Sequence, residues 1–250
     1  VSTFPINVGL HVTDKNRHGY LLAEFMSSKS NTRTGTFGGP AAKRVEVVLR
    51  IIKGIRAATS KEFCIGIKLN SADVSASGDL KDALDQIRLI VGAGIDFIEI
   101  SGGTYEDPKM LAFSNESRTT GTLGSKKSSR EAFFLEFSQI ARKEFPSVIL
   151  MVTGGFRTRA GMEAALTSGA CDIVGIGRPA CVLPKLPNEI ILNEKEVSDN
   201  EATLWLKPVQ PPFFAKFIPI KAIGAGIDSK HYAKQIQILG RGGKPIDSRL

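Results

Sequence analysis

Residues 147–180 read SVILMVTGGFRTRAGMEAALTSGACDIVGIGRPA, and this stretch decides the fold. Val148 to Val152 is β-branched or long apolar throughout, as befits a strand buried on both faces in a parallel sheet. Gly154 and Gly155 follow at once, and without a Cβ their backbone N–H groups can approach a ligand closely. Thr158 then begins a segment of helical period, and a helix N-terminus carries partial positive charge. Asp172 to Gly175 reads as a second strand. Gly177 and Arg178 come next, and Pro179 stands in the first turn of a helix, where proline is best tolerated. Arg178 adds a cation able to grip an oxyanion with two donors. Either loop alone reads as a tight corner. Two in succession, with Gly154 and Gly177 23 residues apart, match the way a (β/α)8 barrel holds a phosphate after its last two strands.

The same alternation extends upstream. Strands are expected at Ile6–Val12, Cys64–Leu69 and Ile95–Ile100, and helices at Ala41–Ala58, Asp79–Gly92 and Arg130–Glu144. In the first helix Val45, Val48, Leu49, Ile52 and Ile55 form the apolar face, while Lys43, Arg44, Arg50, Lys53 and Arg56 read as a solvated basic face. In the second, Leu80, Leu84, Ile87 and Val91 are expected to face inward. About five strands are legible where a closed barrel has eight. The expected fold class is therefore α/β, a partial (β/α)8 TIM barrel comprising the last five strands. Residues 1–192 would form this part and 193–250 a C-terminal extension packing on it.

Composition sets limits on partners. The chain has 250 residues, 42% hydrophobic, enough for a substantial core in one or two domains. The net charge of +8 is spread along the chain without an aromatic-interleaved basic tract, so nucleic acid is not an expected partner. A modest positive field favours anionic cofactors. No run of 18 apolar residues occurs, so neither a membrane span nor a signal peptide is expected. Cys64, Cys171 and Cys181 have no metal-like spacing. A cytoplasmic, reducing setting is the simplest expectation, with no metal site.

Several motifs carry a resemblance. HGYLLAEFMSSKSNTRT followed by FGG, then IGIKLN, DFIEISGG, VTGGF, DIVGIGRP with its Leu-Pro-Asn segment, and HYAKQIQILGRGGKPID occur in the order found in the old yellow enzyme family. These are the FMN-dependent NAD(P)H:flavin oxidoreductases and ene-reductases. The similarity runs over most of Gly9 to Leu192, and the tail resembles fungal members. It implies FMN as cofactor, NAD(P)H as reductant and a small enone-type molecule as substrate. It also implies roles for particular residues. His18 would bind the substrate oxygen and Tyr20 would donate the proton. Lys68 would lie by the flavin pyrimidine, and Gly154, Gly155, Gly177 and Arg178 would hold the FMN phosphate. The family's first histidine has no plain counterpart: Lys15 stands three residues before His18, and an alternative register makes His11 the partner. The first three barrel strands of the family are not visible here, so a homo-oligomer or a further N-terminal segment is expected to complete the barrel. Two other readings stay open: a degenerate, non-catalytic relative retaining only the phosphate site, and a non-flavin barrel enzyme acting on a sugar phosphate.

Overall fold

The computed structural model describes residues 21–70, 80–101, 137–207, 209 and 222–246. In chain order the elements are α1 (Leu21–Met26), α2 (Ala41–Arg44), α3 (Glu46–Ala58), β1 (Gly66–Asn70), α4 (Leu80–Gly92) and β2 (Phe97–Ser101). Residues 137–144 are helical and are called α5. There follow β3 (Ile149–Thr153), α6 (Arg159–Thr167), β4 (Ile173–Gly175), α7 (Arg178–Val182), a π-helical turn over Pro187–Ile191, and α8 (Ala222–Gly240). The expected strand Ile6–Val12 lies outside the described residues, as do Asp79 and the first part of the helix expected at Arg130–Glu144. The four remaining expected strands are all present, each beginning one or two residues late.

The strands are parallel and lie in the order β1-β2-β3-β4. Each strand therefore pairs with its successor along the chain, and right-handed crossovers put the connecting helices on one side of the sheet. Burial agrees. Ile67, Ile98, Ile100, Leu150 and Val152 share a core with Val48 and Ile52 of α3, Ile87 and Ile90 of α4, Phe137 of α5 and Met162 of α6. Strand residues alternate between faces, so the opposite face carries Lys68, Phe97, Glu99, Ser101, Ile149, Met151, Thr153, Ile173 and Gly175. On that face Ile149 is 45% exposed and Ile173 43%. The expectation that the strand after Val148 is buried on both faces is thus corrected: only its helix-facing residues Leu150 and Val152 are fully buried. A singly wound parallel sheet with helices on one face is a section of a (β/α)8 barrel wall, and its second face is the one a barrel turns inward.

The N-terminal ends of the strands are tied by a repeated clamp. The Asp96 carboxylate accepts the Ile65 amide at 2.6 Å, while the Asp96 amide donates to the Ile65 carbonyl at 2.8 Å. Arg56, from α3, pairs with Asp96 and donates to the carbonyls of Phe63 and Gly94. Two strands later Asp172 and Leu150 exchange the same two bonds, each 2.8 Å. Arg142, from α5, pairs with Asp172 and donates to the carbonyls of Val148 and Gly169. Gly94 and Gly169 both have positive φ, 91° and 70°, which turns each helix sharply into the strand that follows.

The helix expected over Ala41–Ala58 is interrupted at Val45, which separates α2 from α3. Arg44 is 5% exposed rather than solvated. Its guanidinium donates to the carbonyls of Met26 and Gly39 and pairs with Asp82 of α4. Arg56 is likewise engaged, in the clamp. Lys43, Arg50 and Lys53 are exposed, as a basic outer face requires. In α4 the buried apolar residues are Ile87 and Ile90, while Leu80 is 37% exposed.

The segment after α1 is built around Asn31, which is 5% exposed. Its Nδ2 donates to the carbonyls of Phe25 and Phe37, both at 2.6 Å. A Cβ on Gly38 would collide with the Arg33 carbonyl, so the first glycine of Phe37-Gly38-Gly39 is required by backbone crowding.

Candidate functional site

β3 and β4 end side by side, with Thr153 opposite Gly175 in the ladder. The two glycine loops therefore leave adjacent parallel strands at the same end, which in a barrel is the catalytic end. Gly154 has φ 130° and Gly155 φ 83°. Side-chain-bearing residues rarely adopt such values, so both positions need glycine. Gly177 is exposed, and a Cβ placed on it would meet nothing within 4 Å, which leaves room at its backbone for a bound group. Arg178 is the first residue of α7 and is half-buried; Pro179 beside it is buried.

The start of α6 behaves differently from expectation. Thr158 is its N-cap, and its hydroxyl accepts the Gly161 amide at 3.1 Å. The Arg159 amide donates to Ala202, the Leu204 amide donates to Arg157, and Thr158 forms an antiparallel bridge with Thr203. Chain beyond the barrel section thus occupies the first turn of α6. The amides of Arg159 and Gly161 are thereby taken by protein acceptors, so they are not open to an anion as expected from the sequence. Arg159 is itself 3% exposed, and its side chain is used in binding the carbonyls of Ile190, Ile191 and Val197 and the Asp199 carboxylate.

Thr153 was not evident from the sequence as a site residue. Its Oγ1 is buried and has no hydrogen-bond partner among the described residues. A Cβ on Gly175 would meet Thr153 Oγ1, with the Met151 methyl at 2.8 Å and Thr153 Cβ at 2.9 Å. Gly175 is therefore glycine because Thr153 fills its side-chain space on the inward face. A buried hydroxyl without a partner costs about 1–3 kcal/mol, and it sits directly before Gly154.

Lys68 lies on the same face, one side-chain layer below the strand ends. It is ion-paired with Glu99, its register partner on β2. These two are the only charged residues in the four strands. Their exposures, 27% and 20%, keep the pair largely out of bulk water. Glu99 was also missed, although a lone carboxylate within Phe97-Ile98-Glu99-Ile100 calls for a partner. His18 and Tyr20 lie outside the described residues, as do Lys15 and His11. Tyr20 immediately precedes α1.

The three thiols are held above their ordinary pKa, chiefly by burial; at Cys171 the neighbouring Asp172 adds to this. They are poor nucleophiles as a result. Among the described residues no three His, Cys, Asp or Glu side chains are grouped to hold a metal ion, and no helix is long and apolar enough to cross a membrane.

The barrel wall and the paired glycine loops at one end of its strands define a section of a (β/α)8-type barrel. Sequence comparison narrows the class. The model of the NADH:flavin oxidoreductase / NADH oxidase family matches residues 12–196, and the chain belongs to that family. It is 41% identical over 232 residues to the NADH-dependent flavin oxidoreductase iliE of Neonectria sp., covering 88% of this chain and 30% of the relative. It is 39% identical over 212 residues to iliE of Hypocrea jecorina, covering 85% and 52%. Among solved structures, a 2-naphthoyl-CoA reductase complex superposes with a TM-score of 0.60 at 22% identity, over 74% of this chain and 26% of that one. An old yellow enzyme homologue from Zymomonas mobilis gives 0.51 at 20% identity, over 81% and 51%. The fold is shared with these barrels. The chain spans 30% and 52% of the length of the two iliE relatives.

Proposed function

We propose that this chain is the C-terminal part of an FMN-dependent NADH oxidoreductase acting on an activated alkene, an α,β-unsaturated carbonyl compound. The observation that carries the reading is the Thr153–Gly175 pairing, which brings the two glycine loops to neighbouring strand ends. The amides of Gly154, Gly155 and Gly177 and the guanidinium of Arg178 would hold the phosphate. Lys68 would face the negative edge of the ring. When bound, FMN supplies the hydride-transfer chemistry, and the protein supplies orientation and electrostatics.

Two residues would act on the substrate. His18 donates a hydrogen bond to the carbonyl oxygen, where negative charge develops. Tyr20 supplies the proton to the α-carbon, on condition that the phenol is held within hydrogen-bond reach. The remaining wall of the barrel would come from further N-terminal chain or from a second copy. A cytoplasmic setting suits three thiols held in the protonated form.

The test is an absorbance spectrum of the purified chain before and after addition of FMN, followed by NADH oxidation with and without an enone. Bound flavin together with enone-stimulated NADH consumption supports the reading. A chain that binds inorganic phosphate or sugar phosphates as well as it binds FMN, and consumes no NADH, overturns it.

A further inference from the structure

The inward face of the sheet holds one feature that phosphate binding does not use: the Lys68–Glu99 pair. Barrel interiors are ordinarily filled by layers of bulky branched aliphatics. Here the layer below the strand ends contains an ammonium and a carboxylate on adjacent strands, joined in register. Met151 is the next residue in the same row and contributes no charge. Ile173 follows it. The four strands contain no other ionisable side chain, so no further charge on them offsets the pair's field. Against a well-packed aliphatic substitute, a largely buried ion pair contributes little net stability, whereas stranding one partner is costly. The pair lies two residues before the ends of β1 and β2, hence about 7 Å below them.

We propose that Glu99, by offsetting the charge of Lys68, sets how strongly the site favours reduced over oxidised cofactor. The inference rests on the reading that FMN binds here with Lys68 beside its ring. Reduction places negative charge on that ring. A lone ammonium beside it favours the reduced state. The Glu99 carboxylate holds that ammonium toward β2 and cancels its charge, so the neutral pair favours the reduced state less. Removing only the carboxylate unmasks the lysine, and removing only the lysine leaves an opposing negative charge.

The experiment is a spectroelectrochemical midpoint determination on the FMN-loaded chain and three variants: Glu99→Gln, Lys68→Met and Lys68→Met/Glu99→Gln. Glu99→Gln should move the ratio of reduced to oxidised FMN affinity at least tenfold toward the reduced form, which is 29.6 mV more positive for a two-electron couple. Lys68→Met should move it at least as far in the negative direction. The double variant, with no stranded charge, should return to within a few-fold of wild type. A merely structural role for Glu99 would weaken both redox states alike and leave the midpoint in place. If Glu99→Gln alone does not fold, the comparison of Lys68→Met with the double variant decides. Identical midpoints for those two overturn the inference while leaving flavin binding standing. A wild-type chain that takes up no FMN overturns the reading of the site and this inference with it.

Discussion

Arg142 grips Asp172 at the start of β4 just as Arg56 grips Asp96 at the start of β2. In both cases the carboxylate also takes the amide of a residue at the head of the preceding strand, Leu150 or Ile65. The clamp therefore joins a helix, a strand and the next strand at one point. It lies at the N-terminal ends of the strands, where features in a barrel serve stability.

Truncating Asp172 should therefore cost stability and leave ligand binding alone. The Leu150 amide it satisfies is buried, but the carboxylate itself is 46% exposed, so screening reduces the effect. Asp172→Ala should lower unfolding free energy by about 1 kcal/mol, measured by urea denaturation.

The same residue predicts a pH dependence. Desolvation would raise the Asp172 carboxyl, but the Leu150 amide and the Arg142 guanidinium outweigh it and hold the group below its ordinary value. A carboxyl with a depressed folded pKa stabilises fully above its unfolded value of about 3.9 and loses that contribution as pH falls through the folded pKa. The stability gap between wild type and Asp172→Ala should be constant from about pH 7 to 5 and shrink below about pH 4. A gap that persists in acid would remove Asp172 as its cause.

Gly175 and Thr153 should behave as a coupled pair. Gly175→Ala forces a methyl into the space of the Thr153 side chain and should cost about 1–3 kcal/mol. Thr153→Ala empties that space, so the double variant should recover part of the loss. Additive effects in the cycle would show that the two residues do not share the cavity.

Arg178→Ala should raise the dissociation constant for FMN about tenfold or more, the amount expected for one charge-assisted contact of about 1.5–3 kcal/mol. Riboflavin, which lacks the phosphate, should be affected far less. Equal losses for the two ligands in titrations of flavin fluorescence would remove Arg178 from the phosphate.

Asn31→Asp should destabilise more than Asn31→Ala. The aspartate sets an acceptor against two carbonyls that now receive the Nδ2 hydrogens. The expected cost is about 2 kcal/mol or more, accompanied by faster proteolysis between residues 27 and 39.

Much of the wall was legible in the sequence, because strands of a singly wound barrel are short apolar runs closed by glycine. The loops at Gly154 and Gly177 announced themselves for the same reason. Two features did not. The break at Val45 follows from where Arg44 reaches, toward Met26, Gly39 and Asp82, partners remote in sequence or on another helix. Yet Arg44, Val48, Ile52 and Arg56 fall at intervals of four, one row of a helix. That spacing puts both arginines on the apolar stripe, a signal hidden by the basic residues beside them. Thr153 and Glu99 were illegible in another way. Each gains its meaning from a register partner, Gly175 or Lys68, and pairing between strands is not written locally. Asn31 and Gly38 make the converse point: part of the most recognisable motif in the chain is a folding device.

The clamps and the glycine loops stand at opposite ends of the same sheet. Substitutions around Gly155 or Gly177 can therefore accumulate without loosening the arginine–aspartate anchors beneath them. A lineage built on this plan is free to explore new small molecules at one rim while its foundations stay fixed. An engineer grafting loops onto this scaffold inherits the same licence.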